Sequence, residues 1–346
     1  MTTRVRWWLT GMLVVLLVLL VGDRINPPYV VFRPGAAINI LEPTPGGAPL
    51  IRVSGAPTYP TSGALRFTTV SIAGGPGYDI SLWDFLAARV DTDAEIRPRD
   101  EVFPPGADRD QVAAVSKAQM TGSQQEAVAV ALRATGRAVS EQVVIREVVA
   151  STPASGRLRT GDVIQQVAGS SVRWPSDVVR LIQTVPAGQP VPVRVSRAGS
   201  VVSVAVPTVA AGNRRVLGVG LESRFRFPVS VTIDAGQVGG PSAGMMFALG
   251  VYDLLTPGAL TQGRSVAGTG TIDSSGDVGR IDSIAYKMVG AHAAGADWFL
   301  APAGNCRDVV GRAPAGLRVV RVGTFAEARD AVAAIGAGRT DGLATC

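Results

Sequence analysis

The chain has 346 residues, 47% of them hydrophobic and 17% charged, which is enough for two or three domains with cores of their own. The formal net charge is +6, but the basic residues are scattered without a basic run or interleaved aromatic residues, which argues against nucleic-acid binding. Lysine occurs only at Lys117 and Lys287, and histidine only at His292. The chain therefore lacks the Gly-Lys-Ser/Thr loop of a P-loop ATPase and offers few ligands for a metal. We expect no ATP, no cofactor and no metal.

The N-terminus is predicted to anchor the chain in a membrane. Residues 7–22 form an uncharged, mostly apolar run that would span roughly 24 Å as a helix, slightly less than the ~30 Å hydrocarbon core. Arg4 and Arg6 precede the run and favour a cytoplasmic N-terminus. A cleaved signal peptide is the alternative, although no small-x-small site follows closely. We expect an uncleaved single-pass anchor in the cell membrane over 1–25, with all later residues outside the cytoplasm.

The next region reads as scaffold. Three short strands are predicted from "YVVFRPG", "PLIRVSG" and "LRFTTVSI" between residues 26 and 75, where proline and glycine mark the turns. Helical spacing follows at 78–89 and again at 109–136, the second helix being interrupted near residue 121. We expect 26–139 to form an extracytoplasmic α/β scaffold region.

From about residue 140 the pattern becomes rich in strands. Strands are predicted at 142–149 and 163–167, and a short amphipathic helix at 176–185 with Ser176 as its cap. A hairpin then turns at Ala198-Gly199, between "VPVRVS" and "SVVSVAV".

This order of elements, over 140–208, resembles a PDZ domain of the kind found in bacterial proteases. The L-x-x-G-D-x-I core is its most specific part, here Leu158, Gly161, Asp162 and Ile164. The resemblance implies a groove that adds an extended peptide to a sheet edge. No Gly-Leu-Gly-Phe loop precedes the core, which leaves the bound peptide terminus open, and a purely structural spacer domain is the alternative.

The stretch "GGPSAG" raises the question of a nucleophile. A strand at 228–233 precedes it, and a helix is predicted to start at Pro241, which places Ser242 at the second helical position near the positive end of the helix dipole. Gly240 would let a substrate backbone approach, and N–H groups at the helix start, such as that of Ala243, could bind a developing oxyanion. An ordinary turn and helix cap is the alternative.

A second stretch, 268–302, predicts strand, turn, helix and strand, with the helix starting near Asp282 or Ser283 and ending at Gly295. It carries Lys287 among apolar neighbours in a chain that otherwise uses arginine as its base. Burial would lower the pKa of this lysine from about 10.4 towards neutrality and make it a proton acceptor.

The sequence allows two interpretations of Lys287. Lys287 could take the proton of Ser242, or it could be a solvated lysine on a helix face. His292 lies five residues later, about 140° round the helix, so we expect it to be structural and not part of the site.

The two stretches together resemble the proteolytic domain of Lon-type serine proteases, over 215–335. The matching motifs are "GPSAG" at 240–244, "G-x-V-x-x-I-x-x-I-x-x-K" at 276–287 and "A-H-x-x-G" at 291–295. The pairing, order and spacing make this a fairly specific signature, whereas "GPSAG" alone would not be one.

The resemblance implies a Ser-Lys dyad, with Ser242 as nucleophile, Lys287 as base and Thr269 orienting the lysine. The chain departs from the family at two places. Gly239 and Gly240 stand where the family often has Lys-Asp-Gly, and the residues before Lys287 differ from its Gly-Gly-x-Lys-Glu-Lys pattern. The two dyad residues are present despite these differences.

The predicted fold is α+β and multidomain. It comprises a transmembrane anchor at 1–25, the scaffold region at 26–139, partly packed on the protease domain, a PDZ-like β-rich domain at 140–210, a Lon-type proteolytic α+β domain at 215–335 and a C-terminal tail at 336–346. This architecture resembles that of membrane-anchored, ATP-independent Lon-like proteins of bacteria.

The predicted function is ATP-independent endopeptidase activity on unfolded or extended polypeptides at the outer face of the cytoplasmic membrane. The PDZ-like domain could hold these substrates, and a homo-oligomer is left open. The alternatives are a catalytically inactive PDZ-bearing scaffold or adaptor and, with less support, a small-molecule kinase, because Gly-Ser loops before helices also bind phosphate.

The two cysteines, Cys306 and Cys346, are expected to pair in an oxidising compartment, where the bond would fasten a tail that otherwise tends to fray. Two free thiols, or an intermolecular bridge through Cys346, are the alternatives.

Overall fold

A computed structural model describes residues 3–44 and 46–346, and side chains from residue 7 onwards, so the side chains of Arg4 and Arg6 lie outside the described part. The helices are α1 (Thr3–Arg24), α2 (Leu82–Val90), α3 (Arg99–Val102), α4 (Arg109–Ala134), α5 (Pro175–Thr184), α6 (Gly244–Leu255), α7 (Ile284–Ala293), α8 (Cys306–Val309) and α9 (Phe325–Gly336). The strands are β1 (Tyr29–Asn39), β2 (Ile51–Ser54), β3 (Ala64–Ala73), β4 (Glu95–Pro98), β5 (Ser140–Val148), β6 (Val163–Val167), β7 (Ser170–Ser171), β8 (Val191–Arg197), β9 (Ser200–Val206), β10 (Val209–Ala211), β11 (Arg214–Val216), β12 (Val219–Arg226), β13 (Ser230–Ile233), β14 (Ser265–Gly268), β15 (Thr271–Ile272), β16 (Val278–Gly279), β17 (Trp298–Pro302) and β18 (Arg318–Val322).

The main sheet has the strand order β18-β17-β14-β3-β1-β4 and joins distant parts of the chain. The pairs β17–β18, β14–β17 and β14–β3 are parallel, whereas β1 runs antiparallel to both β3 and β4. Strands β1, β3 and β4 of the scaffold region therefore lie in one sheet with β14, β17 and β18, while β2 pairs with β13. The scaffold region does not form a separate layer, because its strand β3 pairs directly with β14.

Helix α6 is the central helix of the main core. Its sequence, GMMFALGVYDLL, is apolar almost all round, which is the pattern of a helix buried on every side. Helix α4 packs against it so closely that a Cβ at Gly244 would lie 2.5 Å from Ser123 Oγ. The predicted interruption of α4 near residue 121 is wrong: the helix is continuous, and Gly122 has open space around it on an exposed face, where glycine costs only about 1 kcal/mol.

A second sheet, with the order β12-β5-β6-β8-β9 and β7 paired to β6, has its own core under α5. Strand β12 is its edge and pairs antiparallel with β5, so this sheet continues past residue 210. The prediction that Ser176 caps α5 is wrong. The helix starts at Pro175, and the Asp177 carboxylate accepts hydrogen bonds from the N–H groups of Arg173 and Trp174.

Helix α1 is exposed from Trp7 to Val21, whereas Gly22 near its C-terminal end is buried. Its stretch Trp7–Arg24 is long and apolar enough to cross a membrane, a test that a signal sequence near an N-terminus also passes. The C-terminal part of α1 contacts α2, where the Trp83 indole N–H donates to the carbonyl oxygen of Leu19 over 3.0 Å.

The C-terminal tail is fastened to the main sheet. Cys306 and Cys346 form a disulfide bond, which confirms the expected pairing. The N–H of Arg321 on β18 also donates to the carbonyl oxygen of Ala344 over 2.8 Å. The last residues thus pack beside the edge strand β18 of the main sheet.

Candidate active site

Ser242 lies in a tight turn immediately before α6. The turn is closed by the N–H of Gly244, which donates to the carbonyl oxygen of Pro241 over 3.3 Å. The helix α6 starts at Gly244 with Ala243 as its N-cap, three residues after the predicted start at Pro241, so the predicted placement of Ser242 inside the helix is wrong. Gly240 has φ +81°, a left-handed conformation that residues with a Cβ rarely adopt, and it turns the chain into the serine loop.

Helix α4 holds the serine loop from the other side. The N–H of Gly240 donates to the carbonyl oxygen of Ser116 over 3.1 Å, and Ser123 Oγ donates to the carbonyl oxygen of Pro241 over 2.9 Å. A Cβ at Gly239 would lie 2.0 Å from Ser116 Oγ, so the loop can approach α4 only with glycine there. The sequence analysis did not predict that α4 supports the serine loop. One of the two hydrogen bonds, from Gly240 to Ser116, joins backbone groups and is not visible in residue types.

Lys287 reaches Ser242 from α7. Its side chain is buried, with 4% of the residue exposed, and its Nζ lies 2.7 Å from Ser242 Oγ. Helix α7 begins at Ile284, and the predicted cap at Ser283 is wrong in its mechanism. Ser283 adopts a left-handed conformation with φ +57° and its side chain caps no N–H group of the helix. Helix α7 therefore follows a left-handed turn at Ser283 and has no side-chain cap at this position.

Thr269 connects the two residues. Its hydroxyl lies 3.1 Å from Lys287 Nζ, from which it accepts a hydrogen bond, and it donates to the carbonyl oxygen of Ser242 over 3.1 Å. The same carbonyl accepts from the N–H of Gly270 over 2.8 Å, and the carbonyl of Gly270 accepts from Met245 over 3.1 Å. The end of β14 is thereby fixed to the serine loop.

Burial gives the lysine an unusual proton affinity. It lowers the pKa of Lys287 from 10.5 to about 8, while the charge of Asp282 acts weakly in the opposite direction. A lysine with this pKa is partly neutral near physiological pH and can accept a proton from a hydroxyl within hydrogen-bond distance.

The supporting residues differ in what they can donate. The N–H of Gly240 is already bonded to Ser116, so this group supports the loop and is not free to bind an oxyanion. Within the described chain, no hydrogen bond uses the N–H of Ser242 or Ala243. These two amides are therefore without a hydrogen-bond acceptor among the described residues.

The only histidine of the sequence lies on the same helix as Lys287. His292 is exposed on α7, whereas Lys287 on the same helix is buried. Among residues 3–44 and 46–346, no group of three or more His, Cys, Asp and Glu side chains is arranged to hold a metal ion.

A cleft of about 360 Å³ adjoins the serine loop. One wall is α4, with Ser116, Lys117 and Met120, and the other is the segment 233–239 that leads to Ser242. Because Gly240 is bonded to Ser116 at the rim, the cleft ends within a few residues of the serine.

Comparison with protein families covers residues 118–330. A family model for the PDZ domain matches residues 118–208, and one for the Lon protease (S16) C-terminal proteolytic domain matches residues 205–330. The second match contains Ser242, Thr269 and Lys287.

Solved structures similar to the chain include PDZ domains of two Listeria proteins. That of the SdrC-like protein of Listeria innocua is 20% identical and covers 23% of this chain and 92% of its own, with a TM-score of 0.22. Its counterpart from Listeria monocytogenes is 18% identical, with coverages of 23% and 85% and a TM-score of 0.22. A solution structure from Geobacillus thermodenitrificans is 26% identical, with coverages of 23% and 94% and a TM-score of 0.21. No curated protein matches the chain.

Proposed function

We propose that this chain, which combines a PDZ domain with a Lon-type C-terminal proteolytic domain, is an ATP-independent serine endopeptidase with a Ser242–Lys287 dyad. A single observation carries the dyad: the buried Nζ of Lys287 lies 2.7 Å from Ser242 Oγ. Burying a lysine costs free energy that a purely structural position would avoid, and the lowered pKa is the property that a general base needs.

In the proposed reaction, the neutral amine of Lys287 takes the proton of Ser242 as Oγ attacks the scissile carbonyl carbon. The resulting ammonium returns this proton to the amine that leaves, and the acyl-enzyme remains. A water molecule, deprotonated by the same lysine, then releases the acyl group. The amides of Ser242 and Ala243 would stabilise the oxyanion in both steps, and Thr269 would hold the lysine in line with Oγ.

The proposed location is the outer face of the cytoplasmic membrane. The exposed apolar helix α1 supports a single-pass anchor, and the disulfide between Cys306 and Cys346 suits an oxidising compartment. Neither lysine of the chain lies in a Gly-Lys-Ser/Thr loop, which supports cleavage without ATP. Substrates would therefore be polypeptides that are already unfolded or extended.

We further propose that the PDZ unit is inserted into the proteolytic unit. It would run from β5 to β12, and the segments before and after it would form the proteolytic unit together. This division is supported by the main sheet, in which β3 pairs with β14 on one side and with β1 on the other, and by the separate core under α5. The exposed edge β12, beside α5, is the strand to which an extended peptide would add.

The test is cleavage of a mixed peptide library by purified full-length protein in detergent. Wild type and Lys117→Arg, which changes the other lysine, should cleave the library, whereas Ser242→Ala and Lys287→Arg should not, because arginine keeps its proton at working pH. Cleavage by Lys287→Arg at the wild-type rate would refute the dyad. Peptide binding without cleavage by wild type would favour the inactive scaffold.

A further inference from the structure

Helix α2 exposes an apolar stripe. Trp83, Leu86 and Val90 lie three and four residues apart and so share one helical face, while Phe85 and Ala88 face the core. Leu86 is 44% exposed and Val90 is 83% exposed. A short surface helix would normally carry polar residues on this outer face.

The stripe begins at the anchor. The Trp83 indole N–H donates to the carbonyl oxygen of Leu19 over 3.0 Å, and a Cβ at Gly22 would lie 2.4 Å from the indole ring. Glycine at position 22 therefore allows α1 and α2 to pack in contact. The position of α2 relative to the anchor is fixed by a hydrogen bond as well as by packing.

This contact sets the height of α2 relative to a bilayer. The apolar stretch Trp7–Arg24 has 18 residues and rises roughly 27 Å, close to the ~30 Å hydrocarbon core, so nearly all of it is needed to cross. Leu19 lies five residues before Arg24, or about 7.5 Å inside the outer boundary. A side chain bonded to Leu19 must then lie at membrane depth, and tryptophan is enriched at that level.

We propose that the stripe of Trp83, Leu86 and Val90 lies in the outer interface of the lipid bilayer, with α2 resting on the membrane surface. The inference rests on the proposed membrane placement. The partner of the stripe is lipid, because Trp83 connects the stripe to the spanning helix through its bond to Leu19. Leu86 and Val90 follow on the same face of α2. The contact orients the proteolytic unit against the membrane, which a single anchor helix alone would not do.

The experiment uses spin labels on single cysteines in the full-length protein, reconstituted in vesicles of phosphatidylcholine and phosphatidylglycerol. Labelling without reductant leaves the native disulfide intact. Leu86→Cys and Val90→Cys report on the stripe, Leu13→Cys on the anchor, and Val201→Cys and Val310→Cys are exposed apolar controls on other faces. Collision rates are measured with oxygen, which concentrates in lipid, and with a water-soluble nickel chelate.

The labels at Leu86 and Val90 should lose nickel collisions and gain oxygen collisions relative to both controls, as the label at Leu13 does. Labels at Leu86 and Val90 that match the water-exposed controls, while Leu13 is in lipid, would overturn the docking surface and leave the anchor intact. A water-exposed Leu13 would overturn the membrane placement and the docking together. If the labels at Leu86 and Val90 lose collisions with both oxygen and the nickel chelate and show dipolar coupling to each other between molecules, a second copy of the chain covers the stripe. That result would also overturn the proposal.

Discussion

Replacing Lys287 by methionine should inactivate the enzyme and, near neutral pH, make it more stable. Methionine keeps the length of the buried side chain but carries no charge, so it removes the cost of holding an ammonium group among apolar atoms. Lysine retained for structure alone would give the opposite result, since its loss would then only remove contacts.

The magnitude follows from the pKa. A fall from 10.5 in the unfolded chain to about 8 in the folded protein corresponds to about 3 kcal/mol at pH 7. The substitution also removes the hydrogen bonds of Lys287 to Ser242 and Thr269, which are worth about 1 kcal/mol each. The net gain at pH 7 should therefore be about 1 kcal/mol.

The gain depends on pH with a definite sign. Below pH 8 the lysine is protonated in both states, and the folded protein carries the full cost of burial. Between pH 8 and 10.5 the unfolded chain binds a proton that the folded protein lacks, so wild-type stability rises with pH. At pH 10 the remaining cost is about 1 kcal/mol, and Lys287→Met should be about 1 kcal/mol less stable than wild type.

The assay is urea unfolding of the detergent-solubilised full-length protein at pH 7 and pH 10, for wild type, Lys287→Met and Lys117→Met. Lys117 is exposed, so its variant should show the same difference from wild type at both pH values. A difference between Lys287→Met and wild type that does not change between the two pH values would refute a buried lysine with a lowered pKa.

Three other variants test the site and the tail. Peptide cleavage by wild type should rise with pH through an apparent pKa of about 8, and His292→Gln should keep this profile; loss of turnover in a folded His292→Gln protein would contradict its exclusion from the site. Thr269→Val removes an acceptor of the ammonium, so kcat should fall and the ascending limb should move to lower pH, whereas a fall in kcat with an unmoved limb would contradict the contact. Cys306→Ser with Cys346→Ser should lower the free energy of unfolding by up to about 4 kcal/mol for a loop with a sequence separation of 40, and an unchanged unfolding midpoint would show that the bond does not constrain the chain.

The chemistry of the candidate site was readable in the sequence because it rests on residue types. Lysine in a chain that otherwise uses arginine, surrounded by apolar residues, indicated a buried base, and the structure buries Lys287. The start of α6 was less readable. Proline at the first helical position is a common signal, but the turn at Gly240 delays the helix until Gly244. The conformation of the backbone at Gly240, and not the preference of proline for the first helical position, therefore determines where α6 starts.

Long-range pairing was the part that local patterns could not predict. The strands before residue 75 were recognised as strands, yet nothing in their alternation indicates that β3 pairs with β14, about 200 residues later. The edge strand β12 was missed for a related reason, since it follows the elements of the PDZ-like pattern in the chain but pairs with the first of them, β5. Contacts between backbone groups leave no mark on composition.

The proposed insertion of the PDZ unit would couple the proposed peptide capture to the proposed cleavage. Helix α4, which holds the serine loop, leads into β5, and the edge strand β12 leads through β13 to Ser242. Glu141 at the start of β5 fixes the junction, because it pairs with Arg133 of α4 over 2.8 Å and accepts a hydrogen bond from Ser274 of the proteolytic unit. Its carboxylate is buried, so the pair is shielded from solvent and holds the units in register. A peptide added to β12 would thus be bound on the strand whose continuation carries the nucleophile.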